Sequence, residues 1–99
     1  MQKNYAEAIS EIQSYMASKG GNWSDWYVGI TGDVRSRLFS EHGVDERQDC
    51  WIWRQCANSL VARQVEEYFV KKGSQGDTGG GDFTSEFVYV YLITKTTRQ

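Results

Sequence analysis

The stretch that decides the fold is "WYVGITGDVRSRLFSEH", residues 26–42. Apart from Gly29, its first six residues are aromatic or β-branched, the composition of a strand. The strand stops at Gly32, and Asp33 stands as the N-cap of a helix from about 34 to 42, whose Val34 and Leu38 stack one turn apart. Gly29 is out of character there. A glycine inside a strand weakens it and marks either a bulge or a place where a backbone or ligand comes close. Arg37 lies ten residues after Tyr27 and, on a helical wheel, about 60° from Val34, at the border of the buried stripe. Its stem can therefore rest on the core while its planar fork of donors, suited to a phosphate, points along the face that Tyr27 occupies.

Working outward, residues 4–19 place Tyr5, Ala8, Ile9, Ile12 and Met16 at helical spacing, with Asn4 and Glu7 as a capping box and Gly20 as the stop. Downstream, "CWIWRQC" alternates Trp51 and Trp53 against Ile52 and Arg54, which is strand periodicity. Asn58 or Ser59 caps a further helix with the apolar stripe Val61, Val65, Tyr68 and Phe69, and Gly73 ends it behind Lys71 and Lys72. On that helix Glu66 is about 100° from Val65 and near Ala62 and Phe69, whereas Glu67 points into solvent. A carboxylate held at such an edge can ligate Mg²⁺ or another hard cation, and it can equally pair with a lysine or arginine on a solvated face. The glycine-rich run 73–81 reads as a loop and lacks the order of a P-loop. The last strand, "FVYVYLIT", puts Phe87, Tyr89, Tyr91 and Ile93 on one face and Val88, Val90 and Leu92 on the other.

The expected architecture is therefore a single α/β (α+β) domain over residues 1–99, a small three-stranded, mainly antiparallel sheet flanked by helices in the order αβαβαβ. With 39% hydrophobic and 14% aromatic residues the chain can build a core, and the four tryptophans are expected to lie mostly inside it. No segment reads as a signal peptide or a membrane span, so the expected compartment is the cytoplasm, with no membrane partner. Cys50 and Cys56, the two cysteines, have no metal-ligand spacing and are expected reduced. A net charge of −2 argues against gripping nucleic acid by bulk positive charge.

The segment "YVGITGDVRSRLFSEH" resembles the second half of the GIY-YIG nuclease signature, in which a Tyr-(Ile/Val)-Gly strand is followed by a turn and a helix bearing an arginine ten residues after the tyrosine. Tyr27, Gly29 and Arg37 fit that spacing, and "LVARQVEEYFV" is similar to the family's later helix, with Glu66 four residues before Val70. The resemblance covers roughly residues 26–72. It implies endonuclease activity on DNA, with Tyr27 and Arg37 in the site and one Mg²⁺ or Mn²⁺ ion on Glu66. His42, which titrates near neutral pH, is a further candidate proton carrier or phosphate contact, and as the end of a helix it also suits the dipole there.

The family's Gly-Ile-Tyr strand is missing, because its place is taken by the helix at 4–19. The C-terminal strand has the composition to fill that vacancy as in a circular permutation, with Tyr89 or Tyr91 supplying the tyrosine. The asparagine that many members carry after the glutamate helix has no counterpart in residues 71–86. The alternative is a non-catalytic DNA-binding or protein-interaction module on the same scaffold, with Arg37 merely paired to Glu41. A homodimer or a protein partner would supply target specificity that a domain of this size lacks.

Overall fold

The computed structural model describes residues 2–76 and 81–99. Helix α1 runs Tyr5–Lys19, strand β1 Trp26–Thr31, β2 Trp51–Gln55, helix α2 Ser59–Lys72, β3 Gln75–Gly76 and β4 Phe87–Leu92. Both long helices start where their caps dictate. The Asn4 side chain accepts from the Glu7 amide at 2.8 Å while Glu7 accepts from the Asn4 amide at 3.0 Å, and Asn58 accepts from the Val61 amide at 2.9 Å. Gly73, at φ 117°, closes α2 in the left-handed region.

The sheet has four strands in the order β2-β4-β1-β3 and is mixed. β4 is antiparallel to both of its neighbours, and β3 runs parallel to β1, pairing Tyr27 with Gln75 and Val28 with Gly76. The expectation of three strands is corrected here. Gln75 and Gly76, expected in a loop, reach β1 because the chain leaves α2 beside that edge, and a Cβ on Gly76 would stand 2.6 Å from the Val28 carbonyl oxygen. Residues 77–80 of that expected loop lie outside the described residues.

Strand alternation sorts the side chains onto two faces. Under α1 and α2 lie Trp26, Val28, Ile30, Ile52, Val88 and Val90, packed with Ala8, Ile12, Ala62, Val65 and Phe69. The opposite face carries Tyr27, Tyr89 and Tyr91, closed by Leu38 and Val44. Of the four tryptophans Trp26 is fully buried, Trp23 and Trp51 are half-buried against the two cores, and Trp53 is 40% exposed, so three of the four belong to the cores as expected. Cys50 and Cys56 are free thiols. No helix among the described residues is long and apolar enough to cross a membrane.

The helix expected at 34–42 forms, and it is wound as a π-helix over Ser36–Glu41. Asp33 caps it, its carboxylate accepting from the Ser36 amide at 3.2 Å. The closing bond, from the His42 amide to the Arg37 carbonyl at 2.9 Å, spans five residues. In an α-helix residues five apart would point about 140° away from each other. The wider winding brings Arg37 and His42 to the same side, facing the sheet.

Candidate functional site

Across the tyrosine face the strand register makes two rows, Trp51–Tyr91–Tyr27 and Trp53–Tyr89–Gly29. The second row answers why β1 carries a glycine. Tyr89 lies across from Gly29 and leans over it, so closely that a Cβ there would collide with the Tyr89 hydroxyl and ring. Gly29 is thus the space into which Tyr89 extends its hydroxyl. Tyr89 and Tyr91 share a face, and the glycine opposite Tyr89 alone is what separates their roles.

Tyr89, itself fully buried, lines a cleft of about 240 Å³ together with Tyr27, Gly29, Arg37, Glu41, His42 and Gln99 among others. His42, 5% exposed, is stacked obliquely on Tyr27 with ring centroids 4.8 Å apart. Its Nε2 lies 2.8 Å from the Tyr89 hydroxyl, and its Nδ1 lies 2.6 Å from the carbonyl oxygen of Arg98 and 3.0 Å from the Tyr91 hydroxyl. Arg37 donates to Glu41 at 2.5 Å and stands against the Tyr89 hydroxyl.

Burial sets the resting charges. It pushes the Tyr89 phenol well above the ordinary range, with the Arg37 charge opposing, and it raises Tyr91 in the same way. Burial also lowers His42 below 6.5, and the Arg37 and Arg98 charges add to this while the Arg98 carbonyl and Glu41 oppose it. For Arg37 burial works against the charge, but Tyr89 and Glu41 outweigh it and the guanidinium is held above its usual value. At neutral pH the cleft thus holds a neutral Tyr–His pair beside a permanent cation. Such a set can accept an anion, while the raised phenol and the lowered imidazole both disfavour a resting transfer of the tyrosine proton to the imidazole.

Tyr27, Gly29, Arg37, His42 and Tyr89 come together in one cleft, and Tyr91 lies behind it on the far side of the imidazole. Glu66 does not line that cleft. It is 1% exposed on α2, buried with Ala62, Val65 and Phe69 as the helical wheel requires, and its charge reaches Tyr89, whose phenol it helps to raise. Among the described residues no three His, Cys, Asp or Glu side chains gather as a metal site. Glu66 is a hard oxygen donor of the kind Mg²⁺ takes, but as placed, 1% exposed and outside the cleft, its carboxylate does not meet a phosphate held there. Sequence reasoning missed Arg98 and Gln99, since a backbone carbonyl carries no residue signature.

Compared with protein-family models, with curated proteins and with solved structures, the chain matches none of them.

Proposed function

We propose that the cleft binds a phosphodiester of DNA and hydrolyses it, with Tyr89, His42 and Arg37 as the working groups. The observation that carries this reading is the convergence of the Arg37 guanidinium and His42 Nε2 on one tyrosine hydroxyl, which fills the space left by Gly29 at the wall of the cleft. In the reaction the Tyr89 oxygen takes a proton from the attacking water as its own proton passes to His42 Nε2. The water oxygen bonds to phosphorus, the bond from phosphorus to the leaving sugar oxygen breaks, and solvent protonates the leaving oxygen and receives the imidazolium proton afterwards. Because burial disfavours a free tyrosinate, the two proton movements occur together. Arg37 holds a phosphate oxygen and stabilises the charge that builds on it. Tyr27 walls the cleft and fixes the imidazole plane. A Mg²⁺ or Mn²⁺ ion would be held by Glu66, whose buried carboxylate would have to turn into the cleft, and would supply charge neutralisation.

One observation favours a second reading, that of a binding module without cleavage. Arg37 is already matched by Glu41, and Arg35 by Glu46 at 2.8 Å, so the charge this helix turn offers to a DNA backbone is largely neutralised. In that case a second copy or a protein partner would supply the missing contacts.

Cleavage of supercoiled plasmid with Mg²⁺ or Mn²⁺ decides between them, with wild type, Arg37→Ala and Glu66→Gln purified in parallel. Cleavage by wild type that is lost in Arg37→Ala supports the hydrolase, and its loss in Glu66→Gln as well supports the metal role. No cleavage by folded wild type, together with retarded migration of the plasmid, supports the binding module.

A further inference from the structure

The segment after β4 folds back over the cleft and is held there by more than its own strand. The Arg98 amide donates to the His42 carbonyl at 2.6 Å, and the Arg98 guanidinium donates to the Ser40 carbonyl at 3.0 Å while resting against Gly43. Gln99 continues to Gln75 at 2.9 Å. These bonds place one backbone atom, the Arg98 carbonyl oxygen, 2.6 Å from His42 Nδ1.

We infer that the Arg98 backbone carbonyl is a positioning group for the site, fixing His42 in the Nδ1–H tautomer so that Nε2 faces Tyr89 as a proton acceptor. The reasoning is one of donors and acceptors. A carbonyl oxygen carries no hydrogen, so a contact as short as 2.6 Å is a hydrogen bond only if Nδ1 is the donor. The Tyr91 hydroxyl then donates to the same carbonyl at 3.1 Å and receives a share of the Nδ1 proton at 3.0 Å. In the neutral ring Nε2 is left with a lone pair, and the Tyr89 hydroxyl at 2.8 Å must be its donor. Each polar atom around the imidazole is satisfied in this arrangement. With the opposite tautomer, Nδ1 would set a lone pair against the carbonyl oxygen and Nε2–H would compete for Tyr89 as a donor.

The consequence rests on the proposed hydrolase. A carbonyl that orients a histidine which in turn receives a proton from a tyrosine is the division of labour that a carboxylate performs in other histidine-based relays, here done by the main chain. The tautomer itself does not depend on that reading.

His42 is the single histidine of the chain, so its ring nitrogens give one set of signals in a long-range ¹H–¹⁵N correlation spectrum, with no assignment problem. For the full chain at a pH where the ring is neutral, the expected spectrum shows a protonated Nδ1 and an unprotonated Nε2. A chain ending at Thr97 is expected to lose that pattern and shift toward protonated Nε2, whereas Tyr89→Phe is expected to keep it. A full chain with protonated Nε2 overturns the inference. So does a folded chain ending at Thr97 that keeps the Nδ1–H pattern, or a Tyr89→Phe variant that swaps tautomer, since either means that Arg98 does not set it. Should the shortened chain not fold, the full-length and Tyr89→Phe spectra still decide. Cleavage intact in a full chain with the wrong tautomer removes this inference alone, and absent cleavage with the Nδ1–H tautomer removes only the hydrolase.

Discussion

The two faces of one sheet are built from alternate residues of the same strands, and they do opposite work. Below α1 and α2 the strands present Trp26, Val28, Ile30, Val88 and Val90, side chains whose burial stabilises by removing apolar area from water. Above, one residue along in each case, they present Tyr27, Tyr89 and Tyr91 beside Gly29, tyrosines buried almost as deeply but carrying hydroxyls that must find partners. Those of Tyr89 and Tyr91 find them in His42, Arg37 and the Arg98 carbonyl. The first face is insensitive to direction and the second consists of directions. A one-residue slip of β4 against β1 would exchange the two faces, so the apolar core also holds the tyrosines in register.

The sharpest way to separate the faces is to remove one atom from the polar one. Tyr89→Phe keeps the ring over Gly29 and deletes the hydroxyl, so about 10²–10⁴ of cleavage rate is expected to disappear, the usual contribution of a positioned acid–base group. Stability should fall as well, by about 1–3 kcal/mol, because Nε2 of the buried His42 is left without its donor. A large fall in stability with unchanged cleavage would make the polar face merely structural.

The converse experiment acts on the apolar face. Phe69 is fully buried between α2 and the sheet and tilts against Trp23 with centroids 6.0 Å apart. Phe69→Ala is expected to cost about 3–5 kcal/mol of stability. Measured by urea denaturation, the loss should leave the cleavage rate of the remaining folded fraction near wild type. An altered rate per folded molecule would mean that the faces are coupled through the strands.

Gly29 belongs to the polar face, where the Tyr89 ring leans over it. An alanine there must push Tyr89 aside, and with that ring fully buried the expected cost is about 1–3 kcal/mol, the range for overpacking. Cleavage should fall with it, since the hydroxyl would leave Nε2. On a Tyr89→Phe background, whose ring still collides, Gly29→Ala should remain destabilising, whereas on a Tyr89→Ala background, itself weakened by its cavity, Gly29→Ala should add almost no further loss. An equal cost of Gly29→Ala on the two backgrounds would refute the close-approach reading of this glycine.

How much of this was legible in the sequence follows the range of the forces involved. The caps at Asn4 and Asn58 and the period-two strands are local, and they are read correctly from a few neighbouring residues. The helical wheel sets Glu66 at the edge of the apolar stripe near Ala62 and Phe69, facing a cleft, and the structure instead buries it outside that cleft. The strand at Gln75–Gly76 has no periodicity and exists only because β1 offers an open edge. The π-winding over Ser36–Glu41 leaves no trace in residue types, so the spacing of five between Arg37 and His42 read as a helix end rather than as a shared face. Tyr89 and Tyr91 are equivalent by periodicity, and it took the register against Gly29 to tell them apart.

The smallest expected effect tests the resting charge of the polar face. His42 has a native pKa below 6.5, so between that native value and 6.5 the unfolded chain binds more protons than the folded one. Stability from this residue is complete above 6.5 and is lost as pH falls through 6.5 toward the native value. The charged groups that face the ring are Arg37 and Glu41 from the π-helical turn and Arg98 from the C-terminal segment, with Tyr27, Tyr89 and Tyr91 below it from the sheet. Glu11, held below the ordinary carboxylate range by Arg54 and Lys3, and Asp82, held down by Thr84, act at lower pH. Denaturation curves of wild type and His42→Gln at about pH 7.5 and about pH 5.5, on either side of the ordinary histidine value, should therefore show wild type losing more stability on acidification than the variant. A variant that loses as much as wild type would mean that the buried imidazole accepts its proton as readily as a free one. The polar face would then rest charged at mildly acidic pH, and its contrast with the apolar face would be one of shape alone.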